Sequence, residues 1–155
     1  MIDIISKEMK MKQMTETFVS SEHNTVNLSY KPNSDYKILR KGAIESGAFS
    51  DLIIPINMRD GVIIGVGKSN EKWNYSAPHG SGRVASREQV LNSHTVSEYK
   101  KEMKGIYSSV ICKETLDEAP FAYRDLDSIR SQIEGTVEIK EILKPVYNFK
   151  AKGEY

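Results

Sequence analysis

The feature that most constrains the fold is a pair of short apolar runs, residues 52–56 and 62–66, on either side of a turn that contains Asp60-Gly61. An Asp-Gly pair between two such runs is typical of a β-hairpin. Pro55 has no amide hydrogen to donate to a strand ladder. The first strand of the hairpin is therefore predicted to lie at a sheet edge, or to bulge at Pro55.

Helices are predicted from apolar spacing and from capping residues. The spacing predicts an amphipathic helix over residues 2–14 and another over residues 126–133 that ends at Gly135. Two capping boxes lie between them, and each predicts the start of a helix. These boxes pair Ser86 with Gln89, and Thr95 with Glu98 in a helix that ends at Gly105.

Further strands are predicted on both sides of these helices, at residues 26–30, 36–40, 106–111, 137–143 and 146–150. Residues 67–82 are rich in Gly, Asn, Ser and Pro and are predicted to form one long loop, a feature that is usually functional. Because strands and helices mix without regular alternation, the predicted fold class is α+β, with mixed or antiparallel sheets and peripheral helices.

Composition limits the classes of protein to which the chain can belong. It has 155 residues, 39% of them apolar, and a net charge of +1, so a single domain over residues 1–155 is expected. No apolar run approaches the roughly 18 residues that a membrane span needs. The near-neutral charge argues against a general nucleic-acid coat. The single cysteine, Cys112, cannot form an intrachain disulfide, which favours a cytoplasmic location.

His79 has neighbours that suggest chemistry, because it is followed by Gly80-Ser81-Gly82. Glycines permit backbone conformations that aim successive amide groups at an anion. Arg83 and Arg87 are four residues apart, so on one helix both would face the same way and could grip a phosphate. Imidazole is also a nucleophile, and in a phosphate-binding loop it could form a phosphoramidate. A tight turn with a surface histidine explains the same residues equally well.

The near-zero net charge conceals two oppositely charged stretches. Residues 59–87 hold five basic and two acidic side chains, whereas residues 114–127 hold five acidic and one basic. This pattern predicts a divided surface, of which the basic part would attract an anionic ligand. Tyr123, which follows a proline turn, could either stack on a nucleotide base or pack in the interior.

Five ordered motifs together resemble one family, the RtcB-type RNA ligases, from about His23 onward. They are Arg-Lys-Gly-Ala at 40–43, Ile-Pro-Ile-Asn-Met-Arg-Asp-Gly at 54–61, Ser-Ala-Pro-His-Gly-Ser-Gly-Arg at 76–83, Asp-Glu-Ala-Pro at 117–120 and Lys-Pro-Val-Tyr-Asn-Phe-Lys at 144–150. The Ile-Asn-Met-Arg-Asp-Gly run resembles the bacterial branch. Family resemblance implies joining of RNA 3′-phosphate or 2′,3′-cyclic phosphate ends to 5′-hydroxyl ends with GTP and Mn²⁺. Its RNA partners would be tRNA halves or damaged RNA.

The resemblance also implies roles for individual residues. His79 matches the histidine that becomes guanylylated, and His23 matches a manganese ligand. Lys41, Arg83 and Arg87 fall where RNA phosphates would be contacted. The residues that match guanylate-binding positions are Asn24, Pro55, Ile56, Asn57, Met58, Gly80, Ser81, Gly82, Tyr123 and Lys150.

The sequence departs from the family pattern in three respects. Asn57 and Val62 stand where the archaeal branch has serines, and Ser81 stands where the family more often has alanine. The resemblance corresponds only to the C-terminal portion of the family. The other manganese ligands, an Asp, a Cys and two His, belong to the preceding portion, and Cys112 does not match that cysteine. The alternatives are therefore a ligase, with a separate N-terminal half as a possible partner, or a non-catalytic module that binds guanylate or RNA.

Overall fold

The computed structural model describes residues 2–12, 19–22, 24–28 and 37–150. The described part of the chain contains four α-helices: α1 (Ile2–Glu8), α2 (Arg87–Ser93), α3 (Val96–Glu102) and α4 (Leu126–Ile133). Its nine strands are β1 (Asn24–Leu28), β2 (Lys37–Lys41), β3 (Ala43–Glu45), β4 (Asp51–Asn57), β5 (Gly61–Gly67), β6 (Ser76–Pro78), β7 (Tyr107–Ser108), β8 (Val137–Leu143) and β9 (Tyr147–Asn148). The predicted α+β class is confirmed.

The predicted hairpin forms the middle of the largest sheet. β4 and β5 pair antiparallel, and β8 pairs antiparallel with the other side of β5. Within the described residues, β4 has β5 as its only strand partner, and the register shifts between Pro55 and Asn57. The prediction of an edge strand with a bulge at Pro55 is therefore confirmed.

Two apolar clusters pack on either side of the end of β4. Helix α4, the three-stranded sheet and the β3–β6 pair form the first, which contains Ile44, Leu52, Ile54, Ile56, Ile63, Ala77, Ile129, Ile133 and Val137. The second contains Met58, Tyr99, Met103, Val110, Leu116 and Ala119. Because buried Ile56 belongs to one cluster and buried Met58 to the other, the chain between them is held from both sides. Half-exposed Asn57 faces the surface between the clusters.

Both capping boxes are present as predicted. The Ser86 hydroxyl accepts a hydrogen bond from the Gln89 amide, and the Gln89 side chain accepts from the Ser86 amide. Thr95 and Glu98 form the same arrangement at the start of α3, although α3 ends at Glu102, before the predicted Gly105. The predictions of α4 and β8 are also confirmed.

Four sequence expectations are wrong in extent or in kind. Helix α1 ends at Glu8, and its expected residues 13 and 14 lie outside the described residues. Residues 67–82 do not form one loop, because they contain a 3₁₀ turn at Glu71–Trp73 and strand β6. The strands expected at 106–111 and 146–150 shrink to β7 and β9, which pair parallel.

The strands expected at 26–30 and 36–40 correspond to β1 and β2, which form an antiparallel ribbon. Residues 29, 30 and 36 of those expectations lie outside the described part of the chain. Among the described helices, none has the length and apolar character needed to cross a membrane.

Candidate functional site

A cleft of about 560 Å³ brings together five separated stretches of the chain. Its lining residues are Gly42, Pro55, Ile56, Asn57, Met58, Gly61, Val62, His79, Gly80, Ser81, Gly82, Arg83, Glu118, Tyr123, Pro145, Asn148 and Lys150. His79 and nine of the ten residues expected to bind guanylate are among them. Arg83 also lines the cleft, whereas Asn24, Lys41 and Arg87 are not lining residues.

One side of the cleft, here called the strand wall, consists of Gly42, residues 55–58, Gly61 and residues 79–82. Its hydrogen bonds join the glycine turn to β4. The Ser81 amide donates to the Pro55 carbonyl at 3.1 Å, and the Ser81 hydroxyl donates to the Ile56 carbonyl at 2.6 Å. Ser81 is 4% exposed, so its hydroxyl anchors the turn to the edge strand.

His79 emerges at the end of β6, which pairs antiparallel with β3. Its amide donates to the Gly42 carbonyl at 3.4 Å. A β-carbon on Gly42 would lie 3.8 Å from His79 Cδ2, and Gly42 has a φ of +70°. The left-handed backbone at Gly42 favours glycine there. The half-buried imidazole therefore lies within van der Waals reach of the position that a side chain on residue 42 would occupy.

The Asn57 side chain forms its hydrogen bonds within the turn that follows β4. Asn57 Oδ1 accepts from the amides of Arg59 at 2.9 Å and Asp60 at 2.8 Å, and Asn57 Nδ2 donates to Asp60 Oδ2 at 2.9 Å. Burial by itself would raise the pKa of Asp60, but hydrogen bonds from Arg59 and Asn57 outweigh it and lower that pKa. Asn57 thus shapes the floor of the cleft through the turn.

The opposite side, here called the charged wall, consists of Glu118, Tyr123, Lys150 and Arg83. Glu118 is at its centre. Tyr123 Oη donates to Glu118 Oε2 at 2.7 Å, and Lys150 Nζ donates to the same oxygen at 3.3 Å. The nearest nitrogens of Arg83 and Arg87 lie 3.6 and 3.4 Å from Glu118 Oε1. One carboxylate therefore joins four side chains.

The pKa values of Glu118 and Tyr123 reflect this arrangement. Burial by itself would raise the pKa of Glu118, but the Tyr123 hydrogen bond and the charges of Lys150 and Arg87 leave it below its ordinary value. Burial and the Glu118 hydrogen bond raise the pKa of Tyr123 to about 12. Tyr123 therefore stays protonated and Glu118 stays ionised near neutral pH.

Tyr123 packs against a cation. The Arg83 guanidinium carbon lies 5.1 Å from the centre of the Tyr123 ring, within the range of a cation–π interaction. Arg83 Nη1 also donates to Tyr123 Oη at 3.2 Å. Of the two roles considered for Tyr123, the structure shows packing against Arg83 at the edge of the cleft.

The expectation that Arg83 and Arg87 share a helix face is wrong. Helix α2 begins at Arg87 with Ser86 as its N-cap, so Arg83 precedes the helix. The two side chains meet instead at the acidic stretch. Arg83 Nη2 donates to the Asp117 carbonyl at 2.7 Å, and Arg87 Nη1 is 2.6 Å from Asp117 Oδ2.

These ion pairs also correct the expectation of a divided surface. Side chains of the basic stretch pair directly with buried Asp117 and with Glu118 of the acidic stretch. Arg59, another member of the basic stretch, pairs with Asp60 at 3.0 Å and with Glu102. Opposite charges that are far apart in the sequence thus neutralise one another across the fold.

Asn24 and Lys41 lie together at one end of the β1–β2 ribbon. They are cross-strand partners, and both are exposed. Gly42, the next residue after Lys41, lines the cleft. The structure therefore places these two predicted site residues beside the strand wall, whereas the predicted metal ligand His23 lies outside the described residues.

Six lining residues were given no site role in the sequence analysis: Gly42, Gly61, Val62, Glu118, Pro145 and Asn148. Glu118 belongs to the Asp-Glu-Ala-Pro motif, and Asn148 to the last motif. Asn148 Nδ2 donates to the Met58 carbonyl at 2.8 Å, which ties the last motif to the end of β4. The sequence did contain a signal for Glu118. It is an acidic residue two positions before Pro120, in the turn that leads to Tyr123.

A cleft with an imidazole beside a glycine turn, faced by a wall rich in cations, is typical of proteins that bind phosphate-containing ligands. Residues 1–151 match the family described as tRNA-splicing ligase RtcB. The chain therefore belongs to the tRNA-splicing ligase RtcB family.

Three relatives give the extent of the match. RNA-splicing ligase RtcB1 of Escherichia coli ATCC 25922 is 29% identical over 147 residues, 92% of this chain and 35% of the relative. RNA-splicing ligase RtcB of E. coli K12 is 30% identical over 131 residues, 83% and 31% of the two chains. The tRNA-splicing ligase RtcB of Aeropyrum pernix is 35% identical over 83 residues, 50% and 17% of the two chains. The chain thus spans about a third of the length of its E. coli relatives.

Proposed function

We propose that this chain carries the guanylate-binding and nucleophilic part of a GTP- and manganese-dependent RNA ligase. The ligase would join an RNA 3′-phosphate or 2′,3′-cyclic phosphate end to a 5′-hydroxyl end through a guanylylated histidine. The observation that carries the proposal is the cleft, which gathers His79, the glycine turn, Tyr123 and Lys150 from distant parts of the sequence. Family membership supports the same class of reaction.

His79 is the proposed nucleophile. An imidazole nitrogen would form a bond to the α-phosphorus of GTP while the bond from that phosphorus to the pyrophosphate oxygen breaks. Pyrophosphate would leave with the electron pair, and the imidazole would release its N–H proton. Gly80 and Gly82 suit a loop around the phosphate, because glycine leaves backbone amides accessible.

The charged wall is the proposed site for the base. Lys150 Nζ is a donor at the cleft surface, and Glu118 holds it at 3.3 Å. Tyr123 is half-buried, its hydroxyl donates to Glu118 and its ring lies beside Arg83, so a ligand would contact the remaining ring surface. Asn24, beside the strand wall, remains the proposed contact to the guanylate from the β1–β2 ribbon.

Lys41, Arg83 and Arg87 are the proposed contacts to RNA phosphates. Arg83 and Arg87 already pair with Asp117 or Glu118, so a phosphate would have to compete with those carboxylates. Lys41 is exposed on the β1–β2 ribbon next to Gly42. We therefore expect Lys41 to contribute more to RNA affinity than either arginine.

Manganese does not fit the described residues by themselves. They contain no group of three or more His, Cys, Asp or Glu side chains able to hold a metal ion. His23, outside those residues, stays a predicted ligand, and a separate N-terminal half would have to supply the others. No chemical step is therefore assigned to the metal in this chain.

A second candidate function is a module that binds guanylate or RNA without turnover. One observation favours it: the described residues contain no group of three or more His, Cys, Asp or Glu side chains able to hold a metal ion. Such a module would keep the cleft and its two walls. It would bind GMP without forming a covalent adduct.

Incubation with Mn²⁺ and α-labelled GTP tests the proposal, with and without an added N-terminal portion from the E. coli K12 relative. Label on the wild-type chain and on His94→Gln, but not on His79→Gln, is the expected result. His94 is a matched control because it stacks on Phe121 and does not line the cleft. Absence of label in every mixture would contradict the ligase, and GMP binding by calorimetry would then favour the module.

A further inference from the structure

Arg40 is a buried charge that takes no part in lining the cleft. It is 2% exposed, and burial lowers the pKa of its guanidinium. A buried arginine normally pairs with a carboxylate. Among the described residues, however, its hydrogen-bond partners are neutral: a hydroxyl and two carbonyl groups. Its Nη1 is buried and has no hydrogen-bond partner there.

All of these hydrogen bonds reach one short segment. Arg40 Nε donates to Ser76 Oγ at 2.8 Å, while Nη2 donates to the carbonyls of Asn74 at 3.3 Å and Tyr75 at 3.2 Å. The Ser76 hydroxyl in turn donates to the Asn74 carbonyl at 2.8 Å. A planar guanidinium with several donors can reach three acceptors at once, which an ammonium group on a flexible stem does less well.

The segment that Arg40 holds is strained. Asn74 and Tyr75 have φ values of +50° and +52°, so two consecutive residues with side chains adopt the left-handed region. Strand β6 follows at once and pairs with β3 at three positions. Two-stranded sheets this short are marginal by themselves. The strand that delivers His79 therefore needs support beyond its own ladder.

The other end of β6 is held by the same stretch that contains Arg40. Gly42, two residues after Arg40, accepts the hydrogen bond from the His79 amide and lies against the imidazole. Residues 40–42 thus hold the chain at both ends of β6: Arg40 holds the residues before and at its start, and Gly42 holds the residue after its end.

We propose that Arg40 is a positioning residue, which holds residues 74–78 and so fixes the His79 imidazole in the cleft. The inference rests on the proposed function insofar as that function makes His79 the nucleophile. It goes beyond that function because it gives a buried arginine that does not line the cleft a role in positioning the nucleophile. One planar guanidinium makes three hydrogen bonds to residues 74–76 at once, an arrangement that a neutral side chain does not reproduce.

Amide hydrogen exchange measured by NMR on the full chain tests the proposal. Arg40→Lys keeps the charge but loses the planar fork, and Ser76→Ala removes only the hydroxyl between Arg40 and Asn74. Val110→Ala, in the second apolar cluster, which contains no residue of this segment, is the matched control for a general loss of stability. The amides to follow are Ser46, which donates to the Tyr75 carbonyl, and His79, which donates to Gly42.

We expect the Ser46 and His79 amides to exchange at least about tenfold faster in Arg40→Lys, the factor equivalent to about 1.4 kcal/mol. Ser76→Ala should give the same local pattern at smaller size, and it remains informative if Arg40→Lys does not fold. The amides of β5 should be unaffected by either change. Uniform acceleration, as expected in Val110→Ala, or no change in Ser76→Ala would overturn the proposal.

Labelling by α-labelled GTP separates this inference from the proposed function. If wild type is labelled, Arg40→Lys and Ser76→Ala should be labelled more slowly, in the order of their exchange effects. If wild type is not labelled but the local exchange pattern appears, the proposed reaction fails while the positioning role of Arg40 stands. Labelling at the wild-type rate in Arg40→Lys would contradict the positioning role.

Discussion

The strand wall and the charged wall face the same cleft, but they are held in different ways. Backbone hydrogen bonds and two glycines with positive φ, Gly42 and Gly61, shape the strand wall, and Gly61 also packs closely against Leu143. The charged wall depends on one carboxylate, Glu118, shared among a phenol, a lysine and two arginines. Substitutions that change side-chain shape should therefore disturb the strand wall most. Changes in pH or salt concentration should disturb the charged wall most.

The largest effect is expected from Gly61→Ala in the strand wall. Gly61 has a φ of +91°, and a β-carbon there would overlap the backbone carbonyl of Leu143 in β8. We expect a loss of about 3 kcal/mol or more in the free energy of unfolding, measured with urea.

Gly105→Ala is the matched control, because Gly105 has a φ of +89° and no atom within 4 Å of an added β-carbon. It should cost about 1–2 kcal/mol from backbone strain alone. Equal losses in the two variants would show that close packing against β8 does not constrain the strand wall.

The next largest effect is expected from Glu118→Gln in the charged wall. The amide keeps the shape but removes the charge that pairs with Lys150, Arg83 and Arg87. We expect unfolding free energy to fall by about 2 kcal/mol, the usual size for hydrogen bonds to a charged group. Glu141→Gln, an exposed change on β8, should stay within about 0.5 kcal/mol. A neutral result for Glu118→Gln would show that its ion pairs add nothing to the wall.

Lowering the pH should weaken the charged wall, because it protonates Glu118. The pKa of Glu118 in the folded chain lies below its ordinary value of 4.5, so the unfolded chain binds more protons near that pH. Its contribution to stability is complete above that value and is lost as the pH falls through the folded pKa. Urea titrations from pH 7 downward should show a smaller acid loss in Glu118→Gln than in wild type. Identical pH profiles would contradict the lowered pKa.

The smallest effect is expected from Ser86→Ala, which removes the N-cap of α2. The capping hydrogen bond to Gln89 is lost, so we expect a cost of about 1 kcal/mol in unfolding free energy. Thr95→Ala removes the equivalent cap of α3 at a similar cost. Because α2 begins at Arg87, Ser86→Ala alone should shift the NMR signals of Asp117 and Glu118. Equal shifts in both variants would mean that α2 does not orient Arg87.

The strand wall was the more predictable of the two from the sequence. Two apolar runs on either side of Asp60-Gly61 are a local signal that predicted the β4–β5 hairpin, and Pro55 predicted an edge strand or a bulge. The capping boxes were predictable for the same reason, since cap and partner lie three residues apart. Residues whose partners are close in the sequence leave a pattern that can be recognised without the fold.

The charged wall could not be predicted in this way, because its partners are far apart. Arg83 and Glu118 are separated by 35 positions and meet only when the 3₁₀ segment Lys113–Glu118 packs against α2. Local charge counting therefore predicted two opposite surfaces where the structure has ion pairs. The strands predicted at 106–111 and 146–150 were longer than β7 and β9. Apolar runs do not reveal how many of their residues pair with another strand.

The claim that the two walls form one guanylate site is tested most directly by titrating GMP into the isotopically labelled chain and following the NMR signals of the protein. We predict that signals of His79 and Gly80 in the strand wall and of Tyr123 and Lys150 in the charged wall shift together, with one dissociation constant. His79→Gln and Glu118→Gln should each weaken the shifts on both walls. Shifts confined to one wall, or none at saturating GMP, would contradict the account.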